Sequence, residues 1–484
     1  MINARLRHIA ATAPATSGVR QADATFSYAE LAERVERLAA GLIERGIGRG
    51  AVVALLVPNS PDIFVVAHAL FAIGAIAMPL GLTATRAELA ALAGKTGLAA
   101  VVAAPAHLEA ATTLIADVAP GALLFSTATL AGIERAPTRL PALPGHTPAL
   151  YLFSSGSTGL PKIVPHTHAE LIADGERTSG AWRMQPDDIL VNILPPNFAM
   201  GFLMGVMDAL CGAGTTLYWR DPLPLALARR KLLEAMAAHR VTIMGAVPAM
   251  YETLVAQHGA FELGLRLVFS GGAALRRETF EAFRERFGVP VRQSYGSTET
   301  IMVAHNDAPD PDASWASVGP PAGDAAVRLA PLDTGLGPGV GELLVRSSSL
   351  MQGYLDNAAA NAAAFDDGWF RTGDLASLDD AGRITIRGRS KLLIEVSGYK
   401  IDPLEVEEVL AAHPQIAEAA VTGIPDPRSG NRLCAHIVRR AGLGADAVIA
   451  YARARLSPHK VPAEIVFREA LPRSPTGKLL RGRL

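Results

Sequence analysis

A chain of 484 residues is longer than one hydrophobic core usually grows, so at least two domains are expected. Hydrophobic residues make up 50% and charged residues 19%, which excludes a disordered chain, and a formal net charge of -1 excludes the basic field that a nucleic-acid backbone requires. Cys211 and Cys434 are too few for a disulfide framework and too far apart for a metal knuckle, which suits a reducing, cytoplasmic compartment.

Met1 to Ala10 carries two arginines but no apolar run of signal-peptide length. Ser27 with Glu30 fits a capping box, in which each side chain satisfies a backbone N–H at a helix start. Leu31, Val35, Leu38 and Leu42 then place one apolar stripe along that helix, which Gly46, Gly48 and Gly50 end. Val52 to Val57 follows as a buried strand. The nearly uncharged stretch Ile63 to Leu82 is long enough to span a bilayer, yet it contains His68 and is broken by Gly74 and Pro79. It reads as a buried helix, a turn and a core strand, with no membrane span. Leu98 to Ala103, Leu150 to Phe153, Val241 to Val247 and Leu265 to Ser270 continue as short apolar strands separated by helical segments. That alternation predicts an α/β fold, with parallel sheets covered by helices.

After Ala330 the composition changes. The run from Asp333 to Gly341 is a turn-rich loop ahead of a strand at Glu342 to Val345. It lacks the third glycine and the leading strand of a dinucleotide fingerprint. From Gly388-Arg389 onward a compact α+β region is expected, with a helix from about Pro403 to Ala412 and strands near Ala419 to Thr422 and Cys434 to Val438. The domain boundary is set near Lys391, giving a large domain over 1–390 and a small one over 391–484.

The chemistry concentrates in Tyr151-Leu-Phe-Ser-Ser-Gly-Ser-Thr-Gly-Leu-Pro-Lys162. A strand runs into a loop of small and hydroxyl residues, whose backbone N–H groups can approach an anion, and Lys162 closes it with a compact positive charge. An ordinary polar loop has the same composition, and Leu160 and Pro161 rule out a Walker loop. What distinguishes it is company and order. Downstream come Ser270-Gly-Gly-Ala273, Gln293-Ser-Tyr-Gly-Ser-Thr-Glu-Thr300, Phe370-Arg-Thr-Gly-Asp374, Gly388-Arg389 and Pro475-Thr-Gly-Lys478. Over nearly its full length the series resembles the adenylate-forming superfamily of acyl-CoA synthetases, peptide-synthetase adenylation domains and beetle luciferases.

The resemblance implies a large N-terminal domain with a β-subdomain and a small mobile C-terminal domain. It also implies roles. Ser154, Ser155, Gly156, Ser157, Thr158, Gly159 and Lys162 would wrap the β- and γ-phosphates of ATP. Gly271, Gly272 and Ala273 would line adenine and the acyl pocket. Ser294, Tyr295 and Gly296 would form the adenine motif, with Tyr295 stacking on the base. Thr298 would contact the α-phosphate and Glu299 would hold Mg²⁺, a hard cation that favours carboxylate and phosphate oxygens. Asp374 would accept the ribose hydroxyls, with Arg389 nearby. Lys478 would be the adenylation lysine, bridging the charges that meet when a carboxylate attacks the α-phosphate. Lys391 would be the hinge, and Gly398 and Tyr399 would face an incoming pantetheine.

Selectivity is expected around Phe198 and Ala199, with Val247, Gly272 and Gly296. Phe198 stands where many acyl-CoA synthetases have histidine, and Ala199 where amino-acid activators have an aspartate for the substrate ammonium. Without that carboxylate a buried ammonium would be unpaired, which disfavours amino acids. The pattern Asn197-Phe-Ala-Met-Gly201 is similar to that of benzoate-type ligases, so an apolar acid is expected. Ile163 replaces the family's usual glycine and His459 its usual tyrosine, and neither removes a catalytic group. The expected activity is an AMP-forming acid–thiol ligase that uses ATP, Mg²⁺ and CoA. The alternative is a stand-alone adenylation enzyme loading the phosphopantetheine of a holo carrier protein. Self-association into a homodimer is compatible with either.

Overall fold

The alternation of apolar strands and helices builds parallel sheets in the computed structural model, which describes residues 1–154, 162–331, 339–396, 399–426, 430–440, 442–473 and 479–484. Two compact units divide the chain: Met1–Ala326 with Arg346–Gly368, and Val327–Val345 with Trp369–Leu484. Lys391, the expected junction, lies within the second unit.

In the first unit the Ser27–Glu30 capping box forms as expected. Ser27 Oγ accepts from the Glu30 N–H, and Glu30 Oε2 accepts from the Ser27 N–H at 2.8 Å. Leu31, Val35, Leu38 and Leu42 are all buried along the helix Tyr28–Glu44. The membrane-length stretch resolves into the helix Pro61–Ile73, a left-handed Gly74 and the strand Ile76–Pro79, every residue of both elements buried except Asp62. No described helix is long and apolar enough to cross a membrane.

Among the described residues the first unit holds an eight-stranded and a six-stranded sheet. In the larger, Val291–Ser297, Leu267–Ser270, Ile243–Ala246 and Ile189–Asn192 are consecutive parallel neighbours, and Ile301–His305 closes that edge antiparallel to Val291–Ser297. In the smaller, four parallel pairings lead to Pro148–Ser154, which is joined antiparallel by Lys162–Thr167. The pairing of Ser154 with Lys162 fixes both ends of the expected phosphate loop. Three apolar clusters sit on the sheet faces, which is why the strands read as continuous Val, Ile, Leu and Ala runs rather than alternating ones.

The second unit opens with antiparallel strands Val340–Arg346, Trp369–Leu378 and Ile384–Arg389. Its C-terminal part packs the helices Pro403–Ala411 and Ala445–Arg453 on a three-stranded sheet around Ile401, Val406, Leu410, Ala435 and Ile437. The expected strands at 419–422 and 434–438 are the middles of a longer hairpin, Ile416–Asp426 with Gly430–Arg439. Most of the turn-rich run 333–341 lies outside the described residues.

Gly41 sits in the middle of the helix Tyr28–Glu44, where propensity alone favours alanine by about 1 kcal/mol. A Cβ at that position would stand 1.8 Å from the Ile133 carbonyl oxygen, which is backbone and cannot rotate aside. Gly41→Ala should therefore destabilise the protein by about 1–3 kcal/mol. Urea unfolding decides the sign, and a stabilised variant would contradict the close approach.

Burial also displaces two carboxyl groups in this unit. Asp174 on the helix His168–Ala181 is held above the usual carboxylate range by burial, against the opposing pull of the Met302 N–H and Arg177. Asp208 is raised by burial and by Asp174. A folded-state pKa above the unfolded value of about 3.9 means the native state keeps a proton that the unfolded chain has lost. Stability from this site is present below about pH 4 and declines as pH rises through the folded value. Asp174→Asn keeps the acceptor for Met302 without the ionisation. Its stability relative to the parent should rise between pH 4.5 and pH 8, on the order of 1 kcal/mol, in paired chemical denaturations. A difference independent of pH would refute the displaced ionisation.

Candidate active site

Several of the expected site residues follow the C-terminal ends of adjacent parallel strands, where open α/β sheets bind ligands. Val247 follows Ile243–Ala246, Gly271, Gly272 and Ala273 follow Leu267–Ser270, and Ser294, Tyr295 and Gly296 end the strand Val291–Ser297. Phe198 caps the short helix Ala199–Leu203. A Cβ on Gly271 would lie 3.2 Å from Met200 Sδ and 3.6 Å from the Ser294 carbonyl, and one on Gly272 would lie 3.7 Å from Val247 Cγ1. The helix start, two strand ends and the glycine turn are thus brought together. Gly272 has φ +80°, a conformation that suits glycine.

Thr298 and Glu299 sit on the tight turn between Val291–Ser297 and Ile301–His305. Gly296 lies so close to the returning chain that a Cβ would be 2.1 Å from the Ile301 carbonyl oxygen. Ile301 itself has φ +56°, a strained state for a β-branched residue, costing about 1–3 kcal/mol. The turn persists because its neighbours fix it. Ser297 Oγ accepts from the N–H groups of Glu299 and Thr300, both at 3.2 Å. The Met351 N–H donates to the Glu299 carbonyl at 3.0 Å, Ser349 Oγ donates to the Thr300 carbonyl at 3.1 Å, and Asp174 and Arg177 hold the N–H and carbonyl of Met302, each at 3.0 Å.

Tyr354 links this turn to the loop-closing lysine. Its hydroxyl donates to Glu299 Oε1 at 2.9 Å, and Lys162 Nζ lies 3.7 Å from its ring centroid. Burial, then the Glu299 charge, raises the phenol further above its ordinary range, so it stays a hydrogen-bond donor at any physiological pH. One oxygen of Glu299 is thereby permanently engaged, and among the described residues the other has no partner. A carboxylate with one remaining oxygen fits a hard cation that takes its other ligands from phosphate and water. Among the described residues there is no cluster of three or more His, Cys, Asp or Glu side chains able to hold a metal alone.

In the second unit Asp374 and Arg389 pair across neighbouring strands, with Arg389 Nε donating to Asp374 Oδ1 at 2.6 Å. The Asp374 N–H is held by Thr372 Oγ1 at 3.0 Å. Gly388 precedes Arg389 at a place where a Cβ would stand 2.4 Å from Asp402 Oδ2. Lys391 lies in the short turn Ser390–Leu392 and Tyr399 begins the strand Tyr399–Ile401. Ser154 is buried at its strand end. Ser155, Gly156, Ser157, Thr158, Gly159, Gly398 and Lys478 lie outside the described residues.

Sequence reasoning missed Tyr354 and the pair His166 and Glu170. His166 Nε2 is 2.8 Å from the Thr298 carbonyl oxygen, and its Nδ1 faces Glu170 Oε2 at 3.5 Å. One signal was available: Thr167-His-Ala-Glu170 is a capping box, and it forms. Nothing local marks Tyr354, because its partners lie 55 and 192 positions away in sequence.

Comparison with known proteins identifies the family. Residues 6–355 match the AMP-binding enzyme family and residues 405–478 match the AMP-binding enzyme C-terminal domain. Indoleacetate–CoA ligase of Aromatoleum aromaticum is 31% identical over 96% of this chain and 94% of its own length. Sulfoacetate–CoA ligase of Cupriavidus necator is 30% identical over 95% and 92%. ATP-bound MatB from Rhodopseudomonas palustris superposes with a TM-score of 0.90 at 27% identity, covering 100% of this chain and 98% of that one. The o-succinylbenzoate CoA synthetase of Bacillus subtilis, in complex with its acyl-adenylate, gives 0.89 at 25% identity, covering 99% and 97%. The chain therefore belongs to the AMP-binding enzymes, the adenylate-forming superfamily of acid–thiol ligases.

Proposed function

We propose that this enzyme converts an apolar carboxylic acid to its CoA thioester through an acyl-adenylate. A carboxylate oxygen attacks the α-phosphorus of ATP, the bond to diphosphate breaks, and the CoA sulfur then attacks the acyl carbon as AMP leaves with the bonding pair. The observation that carries the reading is the chain of contacts Lys162–Tyr354–Glu299 beside Thr298. It sets a cation and a half-engaged carboxylate at one end of the parallel sheet. ATP-bound and adenylate-bound relatives of the same fold support it.

The family resemblance assigns the roles. Ser154 to Lys162 hold the β- and γ-phosphates, Thr298 the α-phosphate, and Glu299 the Mg²⁺ that accompanies ATP, whose charge offsets that of the phosphates. Tyr295, with Ser294, Gly296 and the glycine turn 271–273, receives adenine. Asp374, oriented by Arg389, accepts from the ribose hydroxyls. Lys478 places an ammonium between attacking carboxylate and α-phosphate, where charge develops in the transition state. Lys391 serves as the hinge of a small domain over 391–484, with Gly398 and Tyr399 on the path of the thiol. An acid bounded by Phe198, Ala199, Met200 and Val247 meets apolar side chains. A second charge on the acid would cost several kcal/mol there without a partner. CoA is favoured over a carrier-protein pantetheine because the named relatives are CoA ligases. Cytoplasmic residence suits two buried free cysteines.

Lys478→Ala should lower acid-dependent pyrophosphate exchange by about 10²–10³-fold while circular dichroism stays native. Near-normal exchange would remove the lysine from its role. Glu299→Gln should raise the Mg²⁺ concentration giving half-maximal rate by roughly tenfold, and an unchanged requirement would contradict its assignment. A pyrophosphate-release screen over benzoates, cinnamates, fatty acids and amino acids, followed by CoA against holo carrier protein, tests substrate and acceptor. Preference for a charged or amino acid would overturn the apolar pocket.

A further inference from the structure

We infer that His166 is a positioning residue that sets the angle between the Thr298 and Glu299 side chains and so tunes Mg-ATP binding and adenylation. The inference rests on the roles proposed above for those two residues.

A carbonyl oxygen only accepts, so the 2.8 Å contact with Thr298 makes His166 Nε2 the donor. The Thr298 carbonyl belongs to the peptide plane joining Thr298 to Glu299. The other end of that plane, the Glu299 N–H, donates to Ser297 Oγ at 3.2 Å. With both ends held the plane cannot rotate, and that rotation is what would turn one side chain relative to the other. The next carbonyl, of Glu299, is held from the opposite side by the Met351 N–H. Removing either support leaves a polar backbone group without its partner and releases the turn.

The ring is 0% exposed, and Glu170 Oε2 stands 3.5 Å from its Nδ1. Glu170 Oε2 accepts from the Thr167 N–H at 3.0 Å, and Oε1 accepts from Gln352 Nε2 at 3.0 Å, which fixes the carboxylate beside the ring. Gln352 lies two residues before Tyr354, so one segment braces Glu170 and Glu299 alike. The result is a line of support from the start of the helix His168–Ala181 to the catalytic turn.

His166→Leu fills similar volume without a donor, and His166→Gln can return an amide N–H to the Nε2 position. Calorimetric titration with Mg-ATP and no acid reads binding, and pyrophosphate exchange reads chemistry. The leucine variant should bind Mg-ATP about tenfold more weakly and exchange about 10–100-fold more slowly, with KM for the acid changed less than about threefold. The glutamine variant should recover most of both losses. Wild-type Mg-ATP affinity and rate in a folded leucine variant would overturn the inference, as would a folded glutamine variant no better than leucine. If leucine prevents folding, glutamine decides: values within about threefold of wild type support the donor role, and a tenfold loss in both refutes it. A wild-type enzyme that exchanges with no acid at all would sink the proposed function instead, while the titrations would still judge the histidine.

Discussion

The proposed chemistry depends on a turn the backbone would not adopt unaided. Ile301 is held at positive φ, and Gly296 is packed against its carbonyl closer than any side chain allows. Such strain persists only where surrounding contacts over-determine it. Those contacts come from both directions along the chain: His166, Asp174 and Arg177 before the turn, Ser349, Met351 and Tyr354 after it. Thr298 and Glu299 ride on this turn. Their directions are therefore set by a backbone with almost no freedom, which is what preorganised electrostatic stabilisation requires.

Tyr354 shows how one residue can serve two charges. Its ring face attracts the Lys162 ammonium while its hydroxyl neutralises part of the Glu299 carboxylate. Opposite charges are thus brought near one another without pairing directly. In the proposed roles, a direct Lys162–Glu299 ion pair would have to be broken before either met a phosphate or a metal, whereas the phenol contacts both without joining them. The Asp374–Arg389 pair follows another logic: two neighbouring strands register the residues opposite each other, and the arginine orients the carboxylate directly.

How much of this was legible in sequence depends on how local the determinants are. Capping boxes, the left-handed Gly74 and continuous apolar strands are set within a few residues, and the helices and sheets formed where those signals placed them. The glycines at 271 and 272 and the residues around Tyr295 were picked out by family resemblance rather than by any local signal. What local signals could not supply was the bracing. His166 meets Thr298 across 132 positions, Arg177 meets Ser349 across 172 and Gln352 meets Glu170 across 182. No periodicity encodes such pairs, because they exist only once two sheets have been assembled. The grouping of strands 340–389 with the C-terminal region was likewise invisible to a boundary drawn from composition.

The proposed acid pocket is shaped more by backbone than by charge. Gly201 stands where a Cβ would be 2.2 Å from the Pro195 carbonyl oxygen, so the loop carrying Asn197 and Phe198 folds tightly back onto the helix it precedes. One turn later the chain widens into a π-helix over Met204–Asp208, where Gly205 leaves room for Asn192 and Tyr218. Asn192 Nδ2 donates to the Gly201 carbonyl at 2.8 Å and Tyr218 Oη to the Gly205 carbonyl at 2.6 Å, satisfying groups that the irregular winding would otherwise strand. These supports tie the rotation of the helix, and with it the direction of Ala199 and Met200, to two strands of the large sheet. A larger residue at either glycine would turn that face before it touched any substrate. If the proposed pocket binds the acid, its selectivity rests on how closely one helix is drawn onto a sheet, and a change of acid would demand repacking of that seam rather than exchange of a single lining side chain.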